Sequence, residues 1–180
     1  MKKFLLETNR LRIRKFSLSD AADLFEYLSL PETYLFEPGE PVDMEQAQAM
    51  CRERASGNNF FAVELITEHK MIGHLYFQQS QPLEFMTWEL GYIFNPKYQG
   101  KGYCTEAVNK IIEYAFTVLN AHKVTAFCNP LNEASWRVLE KCGLNREGHF
   151  KEKAFFRKDA LGNPLWHDCY AYGIIENDFQ

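Results

Sequence analysis

Gln99-Gly100-Lys101-Gly102-Tyr103-Cys104-Thr105 is the stretch that most limits what this chain can fold into. An apolar, aromatic run from Trp88 to Phe94 and an Asn95-Pro96 break precede it. The longest amphipathic pattern, from about Thr105 to Leu119, follows it. Strand, glycine-rich turn, helix is an order that builds an anion site. The first turn of a helix leaves backbone N–H groups unpaired and carries the positive end of the dipole. Glycine lets that backbone come close to a phosphate.

The flanking periodicities supply the rest of the frame. Arg10 to Phe16 alternates, with Leu11 and Ile13 on one face and Arg10, Arg12 and Arg14 on the other, which predicts a half-buried strand. A helix follows to about Ser29, with Ala21, Leu24, Phe25 and Leu28 at helical spacing, and a second runs from Asp43 to Ala55. Strands are expected at Phe60–Ile66, Met71–Gln79 and Phe85–Phe94. In the last, Trp88, Leu90, Tyr92 and Phe94 share one face and Glu89, Gly91 and Ile93 the other. Its nearly continuous apolarity suggests a central position, covered on both sides. The long helix buries a stripe of Ala107, Ile111, Tyr114 and Val118. A strand at Lys123–Cys128, a helix carrying Ser135, Val138, Leu139 and Cys142 on one face with Gly143 past its end, and strands at Leu144–Phe156 and Leu165–Ile175 complete the chain. The order is βααβββαβαββ. With no repeat or linker, one mixed α/β domain over residues 1–180 is expected.

Net charge narrows the partners. At −4, with a pI of about 5.8, the chain lacks the basic balance of a general nucleic-acid binder. No run approaches the ~18 apolar residues of a membrane span. Its five cysteines include no C-x-x-C pair, so neither a disulfide framework nor a zinc pattern is read, and the expectation is reduced thiols in the cytoplasm. The five histidines give no metal spacing, and no metal is expected.

Two common phosphate loops fit poorly. A dinucleotide fingerprint needs a third glycine where Thr105 stands, and a P-loop needs Ser or Thr after Gly-Lys, where Gly102 stands. Gln99-Gly-Lys-Gly102-Tyr-Cys104 instead resembles the Q/R-x-x-G-x-G/A signature of the GNAT acetyltransferases. Trp88-Glu89-Leu-Gly-Tyr-Ile-Phe-Asn-Pro resembles the fourth strand of that family. Thirty residues after Gly102, Asn132-Glu-Ala-Ser135-Trp-Arg-Val-Leu-Glu-Lys141-Cys-Gly143-Leu resembles its N-x-x-S…E-K-x-G-F element. Thr8-Asn-Arg10-Leu-Arg12-Ile-Arg and Trp166-His-Asp168-Cys-x-x-Tyr resemble the branch holding the ribosomal-protein N-terminal alanine and serine acetyltransferases. Cys104 departs from the signature, where Gly or Ala is usual.

The resemblance implies the GNAT fold, a mixed, mostly antiparallel sheet of about seven strands with about four helices. It implies acetyl-CoA as cosubstrate, with the pyrophosphate on the amides of Gln99, Gly100, Lys101, Gly102, Tyr103, Cys104 and Thr105. The pantetheine arm would lie along the backbone of Ile93 and Phe94, with Asn132 on that arm and Ser135 near the sulfur. Helix capping is the competing reading of Asn132 and Ser135.

Acetyl transfer to an amine needs a neutral amine, a donor for the oxyanion and a proton or hydrogen bond for the thiolate. Glu89, the only acid inside the apolar fourth strand, is the expected base, against a purely structural role for a paired carboxylate. Tyr92, Tyr98 and Tyr103 are alternative proton donors that also read as packing. His167 and Asp168 read as a hairpin hydrogen-bond pair. The implied acceptor pocket is Leu30–Phe36 with Phe155–Trp166, aromatic through Tyr34, Phe36, Phe156 and Trp166. Glu32 and Glu37 are placed to attract a cationic amine. The expected activity is direct acetyl transfer to a peptide N-terminal α-amine or a small-molecule amine, by a monomer or homodimer. A non-catalytic acyl-CoA-binding regulatory module is the alternative.

Overall fold

Leu11 and Ile13 are fully buried, as their alternation requires, in β2 (Leu11–Lys15). A computed structural model describes residues 4–179. Ahead of β2 lies a strand the sequence did not reveal, β1 (Leu5–Glu7), paired antiparallel with it from Leu5↔Arg14 to Glu7↔Arg12. Three residues carry no readable period, so only pairing defines this strand. Among the described residues the sheet therefore has eight strands rather than about seven.

The remaining elements follow the expected order. They are α1 (Ala21–Leu28), α2 (Met44–Ser56), β3 (Phe60–Leu65), β4 (Lys70–Gln79), β5 (Thr87–Phe94), α3 (Tyr103–Thr117), β6 (Lys123–Cys128), α4 (Glu133–Lys141), β7 (Asn145–Lys158) and β8 (Pro164–Ile175). Asp43 caps α2 in a capping box with Gln46, each side chain taking the other's backbone N–H at 2.8 Å. Gly143, at φ +82°, takes the left-handed position after α4.

The strands lie in the order β1-β2-β3-β4-β5-β6-β8-β7. Every neighbouring pair is antiparallel except β5 with β6. On one face, Leu90, Phe94, Val124 and Tyr172 pack with Ala107, Val108, Ile111 and Ile112 of α3. On the other, Leu24, Tyr27 and Leu28 of α1 and Cys51 of α2 pack over Ala62 and Met71. β5 is thus central and two-sided, as its apolarity predicts.

Two boundaries moved. Leu83–Phe85 form a short 3₁₀ turn and the strand starts at Thr87. The long helix ends at Thr117, so Val118 lies at its C-cap, 59% exposed, and is not part of the buried stripe.

Candidate active site

The parallel pairing of β5 with β6 stops early. It runs from Thr87↔Lys123 to Leu90↔Ala126, while β5 remains paired with β4 as far as Phe94↔Gly73. From Gly91 onward one edge of β5 is open. Asn95 N donates to Ile72 O at 2.9 Å. Strand alternation then turns the backbone groups of Ile93 towards β4 and those of Tyr92 and Phe94 towards the open edge. Of the two backbone positions expected there, Phe94 faces the gap and Ile93 does not. The Phe94 carbonyl accepts from Gln99 Nε2 at 3.2 Å.

The glycine turn sits at the end of this gap. Asn95 is fully buried and folds the chain by accepting from Lys97 N at 3.1 Å and donating to Glu26 Oε2 at 3.2 Å. Gly100 and Gly102 have φ of +73° and +79°, values that side-chain-bearing residues rarely adopt. A Cβ at Gly100 would project into open space, and one at Gly102 would meet only the Arg10 guanidinium. Gly102 caps α3 without a side-chain hydrogen bond, and the first helical bond is Glu106 N to Gly102 O at 3.0 Å. The amides of Tyr103, Cys104 and Thr105 therefore precede the helical ladder. An open approach, two left-handed glycines and unladdered amides at a positive helix end fit a pyrophosphate. Lys101 lies over the Tyr98 ring at 5.3 Å, which leaves the backbone as the main contributor.

α4 forms the facing wall. Asn132 Oδ1 accepts from Ser135 N at 3.2 Å, so the capping role expected of Asn132 is present while the residue also lines the cleft. The Tyr92 hydroxyl donates to the Ser135 carbonyl at 2.9 Å and lies 3.2 Å from Ser135 Oγ. Burial pushes the Tyr92 phenol far above its ordinary range, so it stays a neutral donor. The same burial raises the Cys104 thiol, with a smaller push from Cys142, and lifts Cys142 to about 12. A covalent acyl-cysteine would need a thiolate, and burial disfavours that form at both Cys104 and Cys142. Cys104 acts as a small packing residue against the core, which is how it replaces Gly or Ala.

The α1–α2 loop closes the other side. The cleft of about 560 Å³ is lined there by Glu32, Phe36 and Glu37, opposite Tyr92, Asn132 and Ser135. Tyr34 does not reach it. That ring is buried and its hydroxyl donates to Leu28 O at 3.0 Å, so the aromatic ring anchors the loop. Arg157 of β7 donates to the Tyr34 carbonyl and Thr33 Oγ1 to Tyr27 O at 2.5 Å, which fixes the loop from both sides. Burial alone pushes the Glu37 carboxyl up to about 7.

Several expected residues stand elsewhere. Trp166 is 51% exposed, edge-on to Phe155 at 5.1 Å on the β7–β8 hairpin, and does not line the cleft. Asp168 pairs with His149 Nε2 at 2.7 Å, whereas His167 stacks on Phe156 at 5.5 Å. Glu89 lies on the β5 face opposite Trp88, between Gln78 and Thr125 in register, close enough to raise the Tyr76 phenol after burial has done so. It is not part of the cleft wall. Arg10 and Lys141 stood in the sequence only as members of strand and family motifs, and Arg137 only within one, none with a site role, yet Arg137 and Lys141 line the cleft and Arg10 touches its loop. Isolated basic residues on helices or strand ends carry no spacing signal. Among the described residues there is no cluster of His, Cys, Asp and Glu suited to a metal, and no helix is long and apolar enough to cross a membrane.

Comparison with known proteins places this geometry. The acetyltransferase (GNAT) domain matches residues 10–145. An uncharacterised N-acetyltransferase of Bacillus subtilis, YnaD, is 36% identical over 97% of this chain and 99% of its own length. The crystal structure of a GNAT-family acetyltransferase from Bacillus anthracis superposes with a TM-score of 0.88 at 34% identity, covering 97% of this chain and 99% of the other. A ribosomal-protein-S5-alanine acetyltransferase from Vibrio fischeri gives 0.75 at 27% identity, covering 98% and 99%. With the split sheet and the glycine turn at the head of α3, these matches show that the chain belongs to the GNAT family of N-acetyltransferases.

Proposed function

We propose that this protein transfers the acetyl group of acetyl-CoA directly to a primary amine, through a ternary complex formed in the cleft between β5 and α4. The observation that carries the reading is the open edge of β5 leading to the left-handed glycines at the start of α3. Acetyl-CoA supplies the activated acetyl group there. The Phe94 backbone and the amides of Tyr103 to Thr105 hold its arm and pyrophosphate. Lys141 adds positive charge on the α4 side, beside Arg137, which is paired with Glu133 at 2.9 Å. Ser135, whose backbone carbonyl Tyr92 holds, turns its Oγ–H to the sulfur as it leaves.

The acceptor enters from the α1–α2 loop. Its amine must lose a proton before or during attack, and an α-amine with a pKa of ~7.7–8.0 asks less of a base than a lysine side chain at ~10.4. We assign the proton to Glu37, whose carboxylate lines the cleft and is tuned to about 7 by burial. Glu89, the base expected from the sequence, remains the rival. The likeness to a ribosomal-protein alanine acetyltransferase favours a peptide α-amine as acceptor. Five free cysteines support a reducing, cytoplasmic setting.

Thiol release from acetyl-CoA is the test, run over a panel of amines that includes peptides beginning with Ala or Ser, polyamines and amino acids. Release above the hydrolysis background with at least one amine supports the enzyme. Tight acetyl-CoA binding without release across the panel supports a non-catalytic acyl-CoA-binding module instead.

A further inference from the structure

Arg10 lies at the start of β2, outside the cleft, and the mechanism above gives it no task. Its side chain nevertheless binds both the glycine turn and the first turn of α3. Nη1 donates to the Lys101 carbonyl at 3.1 Å. Nε donates to Glu106 Oε2 at 2.6 Å, and Nη2 lies 2.5 Å from the same oxygen. The guanidinium carbon sits 4.5 Å from the centroid of the Tyr103 ring. A Cβ placed on Gly102 would come within 3.5 Å of Nη2. Glu106 is itself fixed, since its Oε1 accepts from Thr8 Oγ1 at 2.5 Å and from Arg10 N at 3.2 Å. One planar fork thus joins the N-terminal strand, the turn and the first turn of α3.

The electrostatics give this joint a direction. A turn that binds an anion through N–H groups must keep its carbonyl oxygens away from the ligand. Lys101 lies between the two left-handed glycines, and Arg10 engages its carbonyl oxygen, fixing the orientation of that peptide group. Because Glu106 neutralises the guanidinium at 2.5–2.6 Å, Arg10 contributes geometry more than net charge. Lysine cannot replace it, having no planar fork to reach the carbonyl, the carboxylate and the ring together.

We propose that Arg10 is a positioning residue that pre-organises the Gly100–Thr105 turn for the diphosphate of the cofactor. The proposal rests on acetyl-CoA occupying this cleft. Without the fork, the turn must be ordered at the moment of binding, and that ordering is subtracted from affinity. The loss falls on the diphosphate end alone.

The experiment compares acetyl-CoA with S-acetylpantetheine, which lacks the diphosphate and the nucleotide, for the wild type, Arg10→Ala and Arg10→Lys. KM and kcat are read from thiol release, Kd from calorimetry, and Tm from thermal melting. We expect Arg10→Ala to raise Kd and KM for acetyl-CoA by about tenfold, with kcat at saturation and KM for S-acetylpantetheine unchanged. Arg10→Lys should fail to restore affinity. Equal losses for both ligands would assign Arg10 to general stability, and full rescue by lysine would assign it to charge. Either result overturns the proposal, as does wild-type affinity in Arg10→Ala. A wild type that binds neither ligand overturns the acetyl-CoA reading itself and the positioning role with it. A wild type that turns over while Arg10→Ala matches it overturns only the role of Arg10.

Discussion

The Tyr92 hydroxyl spends its proton on the Ser135 carbonyl, at 2.9 Å, and leaves Ser135 Oγ 3.2 Å away with its own proton to direct. A buried phenol from the open strand thereby fixes the first turn of α4 at the point where the sulfur would lie. Ser135 is both a helix-start residue, its N–H capped by Asn132, and a donor facing the cleft.

Ser135→Ala removes the donor and keeps the cap, because Asn132 bonds the backbone N–H and not the hydroxyl. We expect kcat to fall by about 10- to 100-fold with KM for acetyl-CoA little changed, since general acid help acts in the transition state. Tyr92→Phe should lose less in kcat and lose stability by about 1 kcal/mol, because one half-buried hydrogen bond to the Ser135 carbonyl is lost. Steady-state kinetics and denaturant unfolding separate the two. A Ser135→Ala enzyme at the wild-type rate would leave Ser135 a purely structural residue.

Glu37 predicts a pH profile. As a base with its pKa raised to about 7, it is competent above that pH, so kcat at saturating amine should rise through pH 7 and this limb should vanish in Glu37→Gln, whereas kcat/KM keeps the limb of the free amine. Stability moves the opposite way. The folded state holds this proton up to about 7 while the unfolded chain releases it near ~4.3, so the contribution is full in acid and is lost as pH climbs to neutrality. Glu37→Gln should therefore raise Tm at pH 8 and leave it nearly unchanged at pH 4. A wild-type limb retained in the variant would return the base role to Glu89.

Glu89→Gln is the matched control. With Glu37 as the base, this variant keeps acetyl-CoA affinity and the limb near pH 7. It changes kcat by less than about tenfold, as expected of a charge acting across a strand rather than at the reacting amine. A rate loss of about 10²–10⁴ without any limb would mark Glu89 as the base that the sequence suggested.

Gly100→Ala probes the cradle. The added methyl meets no protein atom, on a residue at φ +73°, and in the proposed complex it would stand against the diphosphate. KM for acetyl-CoA should rise by more than about tenfold while unfolding shows a loss of only ~1 kcal/mol. Unchanged KM would place the diphosphate elsewhere.

Much of this arrangement is visible in the chain itself because it is written in short-range patterns. Period-two and helical spacings located every element but β1, which is defined by its partner across the sheet. The glycines showed themselves through local backbone needs, whereas the cofactor roles of Asn132 and Ser135 came from the family resemblance, beside capping as the local reading. The acceptor side was less legible. Tyr34 and Trp166 are aromatic residues on the right loops, and only packing reveals that one anchors a loop and the other sits on the outer hairpin. Ile93 and Phe94 differ by a single strand step, and the choice between them depends on which edge of β5 is unpaired. Glu37 becomes distinctive only through its burial, and Arg10 only through contacts with residues more than ninety positions away.

Direct transfer in one cleft makes a kinetic claim that no single substitution can imitate. Initial velocities should be measured with acetyl-CoA and a responsive amine both varied, in double-reciprocal form. The account predicts lines that intersect, because both substrates must be bound together before the acetyl group moves. Parallel lines, with acetylated protein trapped in the absence of amine, would contradict it and restore a covalent intermediate.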